Sequence, residues 1–547
     1  MDKHGAIDNA HIEPTFGASD QAVDRGEDWP MPNYTNSVWS ETVPAHVYGE
    51  LEGDVEVDVA IIGAGITGIT AARLLKDAGL KVAVLESRRV GKGETGKTTA
   101  HLTEVLDTRY HHLISAFGEG GARLAARGQR AAIERIATFV ADLKIDCQFQ
   151  RVPGYLYAET EQGIKTVEQE EEAARRLGIS AVRATDVPLP FRIARAVRFD
   201  DQAQFHPRAY LLALAEGIDG GGSRIFEQTH VLDVEEGERC RVTTEKAVVW
   251  ARDVIVAAHV PISNKLFLHT KLAAYRTYAV GVALPTIGPA GLFWDSADPY
   301  HYIRTHVIGG VPYLIVGGED HKVGETDDTT QPFQRLEAYV ASHFGRTVAA
   351  TDYRWAGQII EPVDGLPYIG KNTASQHIHV ATGYSGNGMT NGTLAAMILA
   401  DEIRGVTNPW SKLFDATRFK PLASAKAFIT ENVDFPKHLI SDRLPAANRV
   451  GDLEHLPAGE GTVLSIAGSK LAVYRNGRGD LSALSPVCTH LGCLVHWNTT
   501  EKSWDCPCHG SRFDPQGKVL NGPATSPLEP KAFPTADASK NVPSGGS

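Results

Sequence analysis

The sequence predicts an α/β domain built on a parallel sheet, interleaved with a domain of mixed β-sheet and followed by an all-β module at the C-terminal end. Three observations predict this architecture. A strand–glycine turn–helix–strand unit begins at Val55, helical and strand-like patterns alternate up to about residue 430, and only short strands with Gly/Pro turns follow about residue 455. With 547 residues, the chain is also longer than one hydrophobic core usually organises.

The predicted elements follow from local patterns in chain order. Residues 55–63 are β-branched and apolar, residues 68–79 have helical periodicity that ends at Gly79, and residues 81–86 form a short apolar run. Helical periodicity returns in residues 122–144, 167–178 and 206–217. Strand-like runs occupy residues 230–237, 240–250, 253–258, 300–306 and 312–318.

Composition and charge restrict the class of protein. Charged residues make up 22% of the chain and apolar residues 42%, which excludes a disordered or collagen-like chain and a membrane bundle. The net charge of −12 makes nucleic acid an improbable partner. The N-terminus lacks the apolar segment of a signal peptide and no stretch is apolar enough to span a membrane, so a cytoplasmic location is predicted.

The domain boundaries are predicted from the changes of pattern along the chain. The first 28 or so residues and the C-terminal tail have the composition of flexible ends. The predicted division is an N-terminal extension at 1–54, a nucleotide-binding and second β domain interleaved over 55–430, a linker at 431–455, the all-β module at 456–535, and a flexible tail at 536–547.

A glycine fingerprint follows the first strand. Gly63, Gly65 and Gly68 form GxGxxG between a strand and a helix, and Glu86 ends the next strand. The first glycine permits a tight turn, the second lets a pyrophosphate approach the backbone, and the third lets helix and strand pack closely. The helix N-terminus favours phosphate, and Glu86 can accept hydrogen bonds from ribose hydroxyls. A dinucleotide-binding domain of the Rossmann type is predicted.

A second glycine motif matches a different nucleotide site by chance. Residues 91–98 fit the pattern GxxxxGK[ST] of ATP-binding loops. The preceding strand already supplies Glu86 to a ribose, and no convincing aspartate for magnesium ends a later apolar strand. The loop is therefore interpreted as closing over the first ligand, through Thr95, Thr98 and Thr99.

The motifs together resemble the D-amino-acid-oxidase-like family of FAD oxidoreductases. The resemblance spans about residues 55–405 and includes DVAIIGAGITGITAARLL, GETGKTTAHLT, ARDVIVAAH, DGLPYIG and HVATGYSGNGMTNGTLAAMILADEIRG in the family's order. It implies FAD as cofactor, with the turn at 383–388 holding the flavin ring at a helix N-terminus. The implied FAD-binding residues are Gly63, Ala64, Gly65, Ile66, Thr67, Gly68, Glu86, Ser87, Thr95, Thr98, Thr99, Val231, Gly383, Gly386, Asn387, Gly388 and Met389. One departure is His259, where the family often has glycine.

The resemblance also implies oxidation of a C–N bond in a small-molecule substrate, an amine or amino acid. Strands similar to the family's place Tyr275, Arg276, Tyr300, Tyr302 and Arg304 near the flavin face, and an arginine there could bind a carboxylate bidentately. Motif adjacency adds Tyr384 and His101, and His321 could carry protons. The predicted catalytic residues are Tyr302, Arg304, Tyr384 and His101.

A cysteine–histidine cluster lies in the C-terminal module. CTHLGC at 488–493 and CPCHGS at 506–511 resemble the Rieske [2Fe–2S] family over roughly residues 455–535. The resemblance implies Cys488, His490, Cys506 and His509 as cluster ligands, and a disulfide between Cys493 and Cys508. A zinc ribbon is disfavoured because neither half is a CxxC knuckle. The two other cysteines, Cys147 and Cys240, are predicted to be bystanders.

Two further positions of the Rieske-like module bear on its electron transfer. In respiratory Rieske proteins, the hydroxyl at the position of Ser511 bonds a bridging sulfide, and a tyrosine often stands where this chain has Phe513. Without that donor the reduced cluster is less stabilised, which predicts a lower reduction potential than in the respiratory type.

The combined motifs predict a flavin enzyme that passes electrons singly through the cluster to an external one-electron acceptor or redox partner protein. Two alternatives stay open. One is an electron-transfer component that serves a partner enzyme and has no metabolite site. The other is a Rieske oxygenase, but the sequence shows no convincing set of two histidines and a carboxylate for a mononuclear iron.

Overall fold

In the computed structural model, the predicted strand–turn–helix–strand unit forms within a large sheet whose central strands are parallel and whose outer strands Tyr368–Lys371, Cys240–Thr244 and Val231–Glu235 pair antiparallel. The structure describes residues 36–40, 42–262, 266–324, 326, 328–345, 351–420, 453, 455–466 and 468–533. Most of the predicted linker at 431–455 and all of the tail at 536–547 lie outside these residues, as do the first 28 residues. The domain boundaries therefore stay predictions.

The strands of the nucleotide-binding and second β domains cover most of the predicted runs. In chain order they are β1 Val55–Ile62, β2 Val82–Leu85, β3 His101–Leu102, β4 Gln150–Ala158, β5 Ala181–Ala184, β6 Arg195–Gln204, β7 Arg224–Phe226, β8 Val231–Glu235, β9 Cys240–Thr244, β10 Val248–Val256, β11 Leu272–Ala283, β12 Leu292–Asp295, β13 His301–Ile308, β14 Val311–Lys322, β15 Tyr353–Pro362, β16 Tyr368–Lys371 and β17 Ile378–Thr382. The predicted run 240–250 is a hairpin, β9 followed by the start of β10.

Helices connect these strands. They are α1 Ile66–Asp77, α2 Tyr110–Asp142, α3 Glu161–Leu177, α4 Pro207–Glu216, α5 Leu266–His269, α6 Gln331–Phe344, α7 Gly388–Ile403 and α8 Ser411–Phe414. A 3₁₀ turn covers Glu94–Lys97. Helix α2 is kinked at Gly118, whose φ of 71° is accessible to glycine at little cost.

The first sheet carries the predicted nucleotide fold. Its order is β16-β17-β10-β1-β2-β7, and β9 and β8 extend from β10. β1 pairs in parallel with both β2 and β10, and its last four residues are buried, as expected for a central strand with helices on its face. Helices α1, α2 and α7 pack in one apolar core beside this sheet. This arrangement brings the carboxyl ends of β1, β2 and β10 to one edge.

The second sheet is mixed and mostly antiparallel. Its order is β15-β11-β14-β13-β12-β4-β6-β3, with β5 beside β6. Only β12 and β4 pair in parallel among its described strand pairs. The interleaved α/β and mixed β-sheet architecture agrees with the prediction from sequence.

The C-terminal module consists of two small antiparallel sheets. The first contains β18 Glu460–Ile466, β19 Ser469–Arg475 and β20 Leu481–Leu484. The second contains β21 His496–Asn498, β22 Ser503–Asp505, β23 Arg512–Phe513 and β24 Val519–Asn521. The predicted all-β character is confirmed, and the turn between β22 and β23 holds one of the two cysteine–histidine motifs.

Part of the predicted N-terminal extension belongs to the core. Val38 and Trp39 are fully buried against the second sheet. The Trp39 indole N–H donates to the Thr98 carbonyl at 2.7 Å, so this segment fixes the end of the 91–98 loop. Among the described helices, none is long and apolar enough to cross a membrane.

Candidate flavin and iron–sulfur sites

A cavity of about 390 Å³ opens where the edge of the first sheet meets the second sheet. Side chains and backbone from β1, β2, the 91–98 loop, the end of β10 and the N-terminus of α7 line one part of it. Tyr300 and Tyr302 line another part, and residues 519–522 of the C-terminal module also reach it. All three parts of the chain therefore meet at one site.

The glycine turn forms a cradle that side chains would fill. Gly63 has a φ of 102°, and a Cβ on it would lie 2.6 Å from the Ala257 oxygen. Glu86 accepts a hydrogen bond from the Ala64 N–H at 2.9 Å, which ties the turn to the end of β2. Helix α1 begins after Gly65 with no side-chain cap from that residue, and the positive end of its dipole favours an anionic ligand. This cradle fits a dinucleotide pyrophosphate.

The 91–98 loop lies over this turn, as predicted. The Thr95 hydroxyl accepts a hydrogen bond from the Ile66 N–H at 3.0 Å. The Gly91 N–H donates to the Ala64 carbonyl at 3.1 Å. The loop is thus bound to the dinucleotide turn on both sides and leaves no separate phosphate site there.

The turn before α7 forms the wall of the cavity opposite the glycine turn. Asn387 precedes the helix without capping it through its side chain. Its amide oxygen instead accepts from the Asp107 N–H at 2.8 Å, and its amide group donates to the Val105 carbonyl at 3.1 Å. The free helix N-terminus therefore faces the cavity, where it favours negative charge on a bound ring.

The structure brings most predicted FAD-binding residues to the cavity. Those that line it are Gly63, Gly65, Ile66, Thr67, Glu86, Ser87, Thr95, Thr98, Thr99, Val231, Gly386, Asn387, Gly388 and Met389. Ala64, Gly68 and Gly383 do not line it. A Cβ on Gly68 would lie 1.9 Å from the Gly63 oxygen, so this glycine serves the packing of turn and helix.

His259, the departure from the family pattern, also lines the cavity. Its φ is 66°, in the left-handed region that favours glycine. Its carbonyl accepts from the Thr382 hydroxyl at 2.7 Å, and this bond helps to hold the strained backbone.

Three of the four predicted catalytic residues line the cavity. Tyr302 donates to or accepts from the Thr277 hydroxyl at 2.9 Å, and Tyr384 pairs with the Thr67 hydroxyl at 2.9 Å. Burial, with a contribution from Arg304, lowers the pKa of His101 to about 3, so this imidazole is neutral.

The expectation for Arg304 does not agree with the structure. Its guanidinium is fully buried and donates to the Thr99 and Ala100 carbonyls at 2.9 and 2.8 Å. It also contacts His306 and stacks over Trp39. Arg304 therefore holds the loop and the N-terminal segment rather than a substrate carboxylate. Arg276, also expected near the flavin face, lies against the C-terminal module instead.

Several cavity groups were not predicted from the sequence. Asp107 accepts a hydrogen bond from the Gly386 N–H at 2.5 Å, and Arg109 starts α2 beside it. Behind Tyr300 and Thr277 lies Asp320, whose carboxylate is hydrogen-bonded by both hydroxyls. Burial raises the pKa of Asp320 to about 7, assisted by the nearby Asp107 carboxylate.

Asp320 should make the stability of the protein depend on pH. Its pKa is about 7 in the fold, against the ordinary aspartate value of 3.8, so the folded state binds more protons between these values. Stability should therefore fall as pH rises from about 4 to about 7. We expect Asp320→Asn to flatten this part of the curve in thermal unfolding followed across pH. The exposed Asp233→Asn is the control, and an unchanged slope in Asp320→Asn would contradict the assignment.

The C-terminal module places the predicted cluster ligands together. The Cys488 and Cys506 thiols hydrogen-bond each other, which lowers the pKa of Cys488 to about 7. The His490 and His509 rings are 5.1 Å apart. Burial lowers the pKa of both histidines, to about 4 and about 3, so the imidazoles are neutral, the form that binds metal.

The other two cysteines of the C-terminal module form the predicted disulfide, Cys493–Cys508. The Cys506 sulfur lies within 4.8 Å of both, but bonded sulfurs cannot supply thiolate ligands. The donor set that fits a metal centre is therefore two thiols and two imidazoles, as in a Rieske cluster. Cys147 and Cys240 are buried elsewhere in the fold and form no disulfide.

The cluster loops lie against the flavin-side domain. The His269 ring, at the end of α5, is 4.7 Å from the His490 ring and 5.6 Å from the His509 ring. The Gln358 amide donates to the Gly510 carbonyl at 2.8 Å. Asn521 donates to Glu94 of the 91–98 loop at 3.1 Å. The predicted ligand histidines therefore face the domain that carries the dinucleotide cradle.

Comparison with known families agrees with these sites. A model of the family described as FAD dependent oxidoreductase, DAO, matches residues 58–402. The chain belongs to this family. A second family model, the Rieske [2Fe-2S] domain, matches residues 447–534. The protein is an FAD-dependent oxidoreductase with a C-terminal Rieske [2Fe–2S] domain, and its cofactors are FAD and the cluster.

Individual relatives extend this result. The chain is 34% identical to the Bacillus subtilis protein named "Putative Rieske 2Fe-2S iron-sulfur protein YhfW", over 90% of this chain and 96% of the relative. It is 24% identical to gamma-glutamylputrescine oxidoreductase of Escherichia coli, over 72% of this chain and 92% of the relative. Glycine oxidase from Geobacillus kaustophilus has the same fold, with 20% identity, a TM-score of 0.56, and coverage of 66% of this chain and 99% of that one.

The hydrogen bond from Ile66 to Thr95 gives a test of the FAD cradle. We expect Thr95→Val to weaken FAD binding about tenfold, because the turn that would hold the pyrophosphate loses its hydrogen bond to the 91–98 loop, and such a bond contributes about 0.5–1.5 kcal/mol. Thr95→Ser keeps the hydroxyl and should retain affinity. The measurement is flavin content and the dissociation constant of FAD after reconstitution. Equal affinities of the two variants would show that this hydroxyl does not hold the cradle.

Proposed function

We propose that this FAD-dependent oxidoreductase oxidises the C–N bond of an amine or amino acid and passes the electrons singly through the Rieske cluster to an external acceptor. The observation that carries the proposal is the contact of His269 with both predicted ligand histidines. This contact supports electron entry into the cluster from the domain that binds FAD. A cytoplasmic location stays a prediction.

The atoms and electrons of the proposed reaction balance if the external acceptor takes one electron at a time. FAD supplies two-electron chemistry as a hydride acceptor, and the cluster supplies one-electron chemistry. The substrate carbon loses a hydride and its nitrogen loses a proton, so a C=N bond forms, and water hydrolyses it to a carbonyl compound and ammonia or an amine. Two one-electron acceptors then take the two electrons in turn.

The protein's own groups have limited roles in this scheme. Tyr300, Tyr302 and Tyr384 shape the cavity, and burial raises the pKa of each hydroxyl, which keeps all three protonated. His101 is neutral and weakly basic. Asp320 does not line the cavity, but the Thr277 and Tyr300 hydroxyls that line it bond to this carboxyl and can pass it the proton released by the substrate nitrogen.

Anaerobic rapid mixing with a panel of amines and amino acids tests the proposal. A substrate should bleach the flavin first and reduce the cluster afterwards, as followed by visible absorbance and electron paramagnetic resonance. If no compound bleaches the flavin while a chemical reductant does, the protein is an electron-transfer component instead.

A separate variant tests whether electrons leave the protein through the cluster. Cys488→Ser removes one predicted ligand and should leave flavin bleaching intact while slowing reduction of an added one-electron acceptor such as ferricyanide or cytochrome c. Cys147→Ser, a buried cysteine outside the cluster, is the matched control. Acceptor reduction at the wild-type rate in Cys488→Ser would overturn the proposed exit.

A further inference from the structure

Strand β15 joins the cavity to the Rieske domain. Residues 357–359 of this strand line the cavity. Gln358 lies opposite Arg276 of β11 in the sheet, so the two side chains share one face. That face carries the Rieske domain, because Arg276 pairs with Glu501 and the Gln358 amide donates to the Gly510 carbonyl at 2.8 Å. Gln358 therefore belongs both to the cavity wall and to the contact between the domains.

The contact at Gly510 is tight. Gly510 directly follows His509, a predicted cluster ligand. Its φ of 76° is in the left-handed region, and a Cβ on it would lie 2.7 Å from the Ala274 Cβ and closer still to the Gln358 amide. Gln358 is 2% exposed, and its Oε1 atom has no hydrogen-bond partner among the described residues. The bond to Gly510 thus fixes which way the amide faces.

Other links between the cavity and the Rieske domain end away from the ligand loops. The hydrogen bonds of Glu94 and His230 to this domain end on segment 519–525, which carries no predicted ligand. His269 contacts both predicted ligand histidines but does not line the cavity. Gln358 combines the two positions, since it lines the cavity and bonds to the chain neighbour of a predicted ligand.

We propose that Gln358 is the positioning residue for electron transfer from the flavin to the cluster. This rests on the proposed function and deepens it. The Gln358 side chain holds the loop of His509 against the wall of the FAD cavity, and hydrogen-bond partners of this kind orient the ligands of a metal centre. The hydrogen bond to Gly510 and the peptide that follows His509 also form a bonded path, which an electron crosses more readily than an open gap of the same length.

The proposed step moves one electron at a time and breaks no covalent bond of Gln358. Two electrons and a proton arrive together as the hydride of the substrate. Each electron then converts one ferric iron of the cluster to ferrous iron, and the external one-electron acceptor takes it before the next one follows. The proton goes to water.

Flash photoreduction of the holoenzyme tests this role without a substrate. A light flash in the presence of EDTA reduces the bound flavin, and the cluster absorbance then reports electron arrival. Gln358→Met has a similar length but no donor, so we expect it to slow reduction of the cluster severalfold. Redox titration should give unchanged potentials for both cofactors, because the lost bond ends on a backbone carbonyl and not on a ligand atom.

Thr329→Val is the matched control for loss of an interdomain hydrogen bond. The buried Thr329 hydroxyl bonds Asn498 and Thr500 of the Rieske domain at 3.0 and 2.7 Å, and Thr329 does not line the cavity. Its loss should lower the midpoint of chemical unfolding and leave the rate of cluster reduction unchanged. Gln358→Asn keeps the amide on a shorter side chain and should also slow transfer, so it replaces Gln358→Met if that variant loses FAD or the cluster.

The outcomes separate the role of Gln358 from the proposed function. A wild-type rate in the Gln358 variant, with both cofactors bound, overturns the role of Gln358 and leaves the proposed function standing. Equal slowing in Thr329→Val assigns the effect to domain docking in general, and a lowered cluster potential in the Gln358 variant assigns it to driving force, and either result overturns the inference. A wild-type cluster that stays oxidised after the flash overturns the electron path of the proposed function itself.

Discussion

Glu501→Gln should lower the free energy of unfolding by about 3–5 kcal/mol, because it removes the negative charge between two buried guanidinium groups. Glu501 pairs with Arg276 of the flavin-side domain and, at 3.1 Å, with Arg512 of its own module. Arg276 and Glu501 are only 1% and 6% exposed. The Arg276 Nε and Nη1 atoms have no hydrogen-bond partner among the described residues, so the guanidinium depends on this contact.

Chemical denaturation followed by tryptophan fluorescence and by the cluster absorbance measures this loss. Glu235→Gln is the control, since Glu235 pairs with Arg241 at 2.9 Å with both side chains exposed, and such pairs contribute at most about 1 kcal/mol. Arg276→Met combined with Glu501→Met should recover part of the stability, since no unpaired charge is then buried at this contact. Similar losses for Glu501→Gln and Glu235→Gln would mean that the interdomain pair is not a buried one in solution.

Phe513→Tyr should raise the reduction potential of the Rieske cluster by roughly 60–130 mV. Phe513 is fully buried in the core that contains Cys488 and Cys506. A hydroxyl placed there can donate to a ligand sulfur, and hydrogen bonds to charged groups contribute about 1.5–3 kcal/mol. For a one-electron couple, about 59 mV corresponds to a tenfold change in the equilibrium constant. The added donor stabilises the reduced cluster, which carries more negative charge.

Redox titration monitored by electron paramagnetic resonance gives the potential. Phe513→Leu changes the packing without adding a donor, so it separates the hydrogen bond from general disturbance of the core. A potential that is unchanged or lower in Phe513→Tyr would refute the account, and an equal rise in Phe513→Leu would assign it to packing.

The parts of the site that lie within one short segment were predictable from the sequence. Gly63, Gly65 and Glu86 belong to one strand–turn–helix–strand unit, and their geometry follows from backbone rules that act over about 25 residues. The cluster loops are similarly local, with ligands and disulfide partners inside two six-residue motifs. In both cases the chemistry requires specific residue types at fixed spacing.

The part of the site around Asp107 and Asp320 was not predictable because distant segments build it. Asp107 comes from the loop before α2 and Asp320 from β14. The pairing of β14 with β13 and β11 brings Asp320 to Tyr300, which precedes β13, and to Thr277 of β11. Nothing in either local pattern marks these carboxylates as partners.

The error with Arg304 and Arg276 has a geometric cause. Arg304 is two residues after Tyr302 on β13 and so shares its face, but it lies further along the strand, under the Thr99 and Ala100 carbonyls. Arg276 is adjacent to Thr277 on β11, so the two side chains point to opposite faces. Thr277 reaches the cavity, and Arg276 reaches the Rieske domain.

The contact of His269 with the two predicted ligand histidines joins groups of a single chain. The domain that binds FAD and the Rieske domain therefore meet without diffusion, and dilution does not separate them. Buried charge pairs such as Arg276 with Glu501 are also screened little by salt. In the proposed electron path, transfer from flavin to cluster would then be a first-order step whose rate is independent of protein concentration and nearly independent of ionic strength. Only the later encounter with the proposed external acceptor would depend on both.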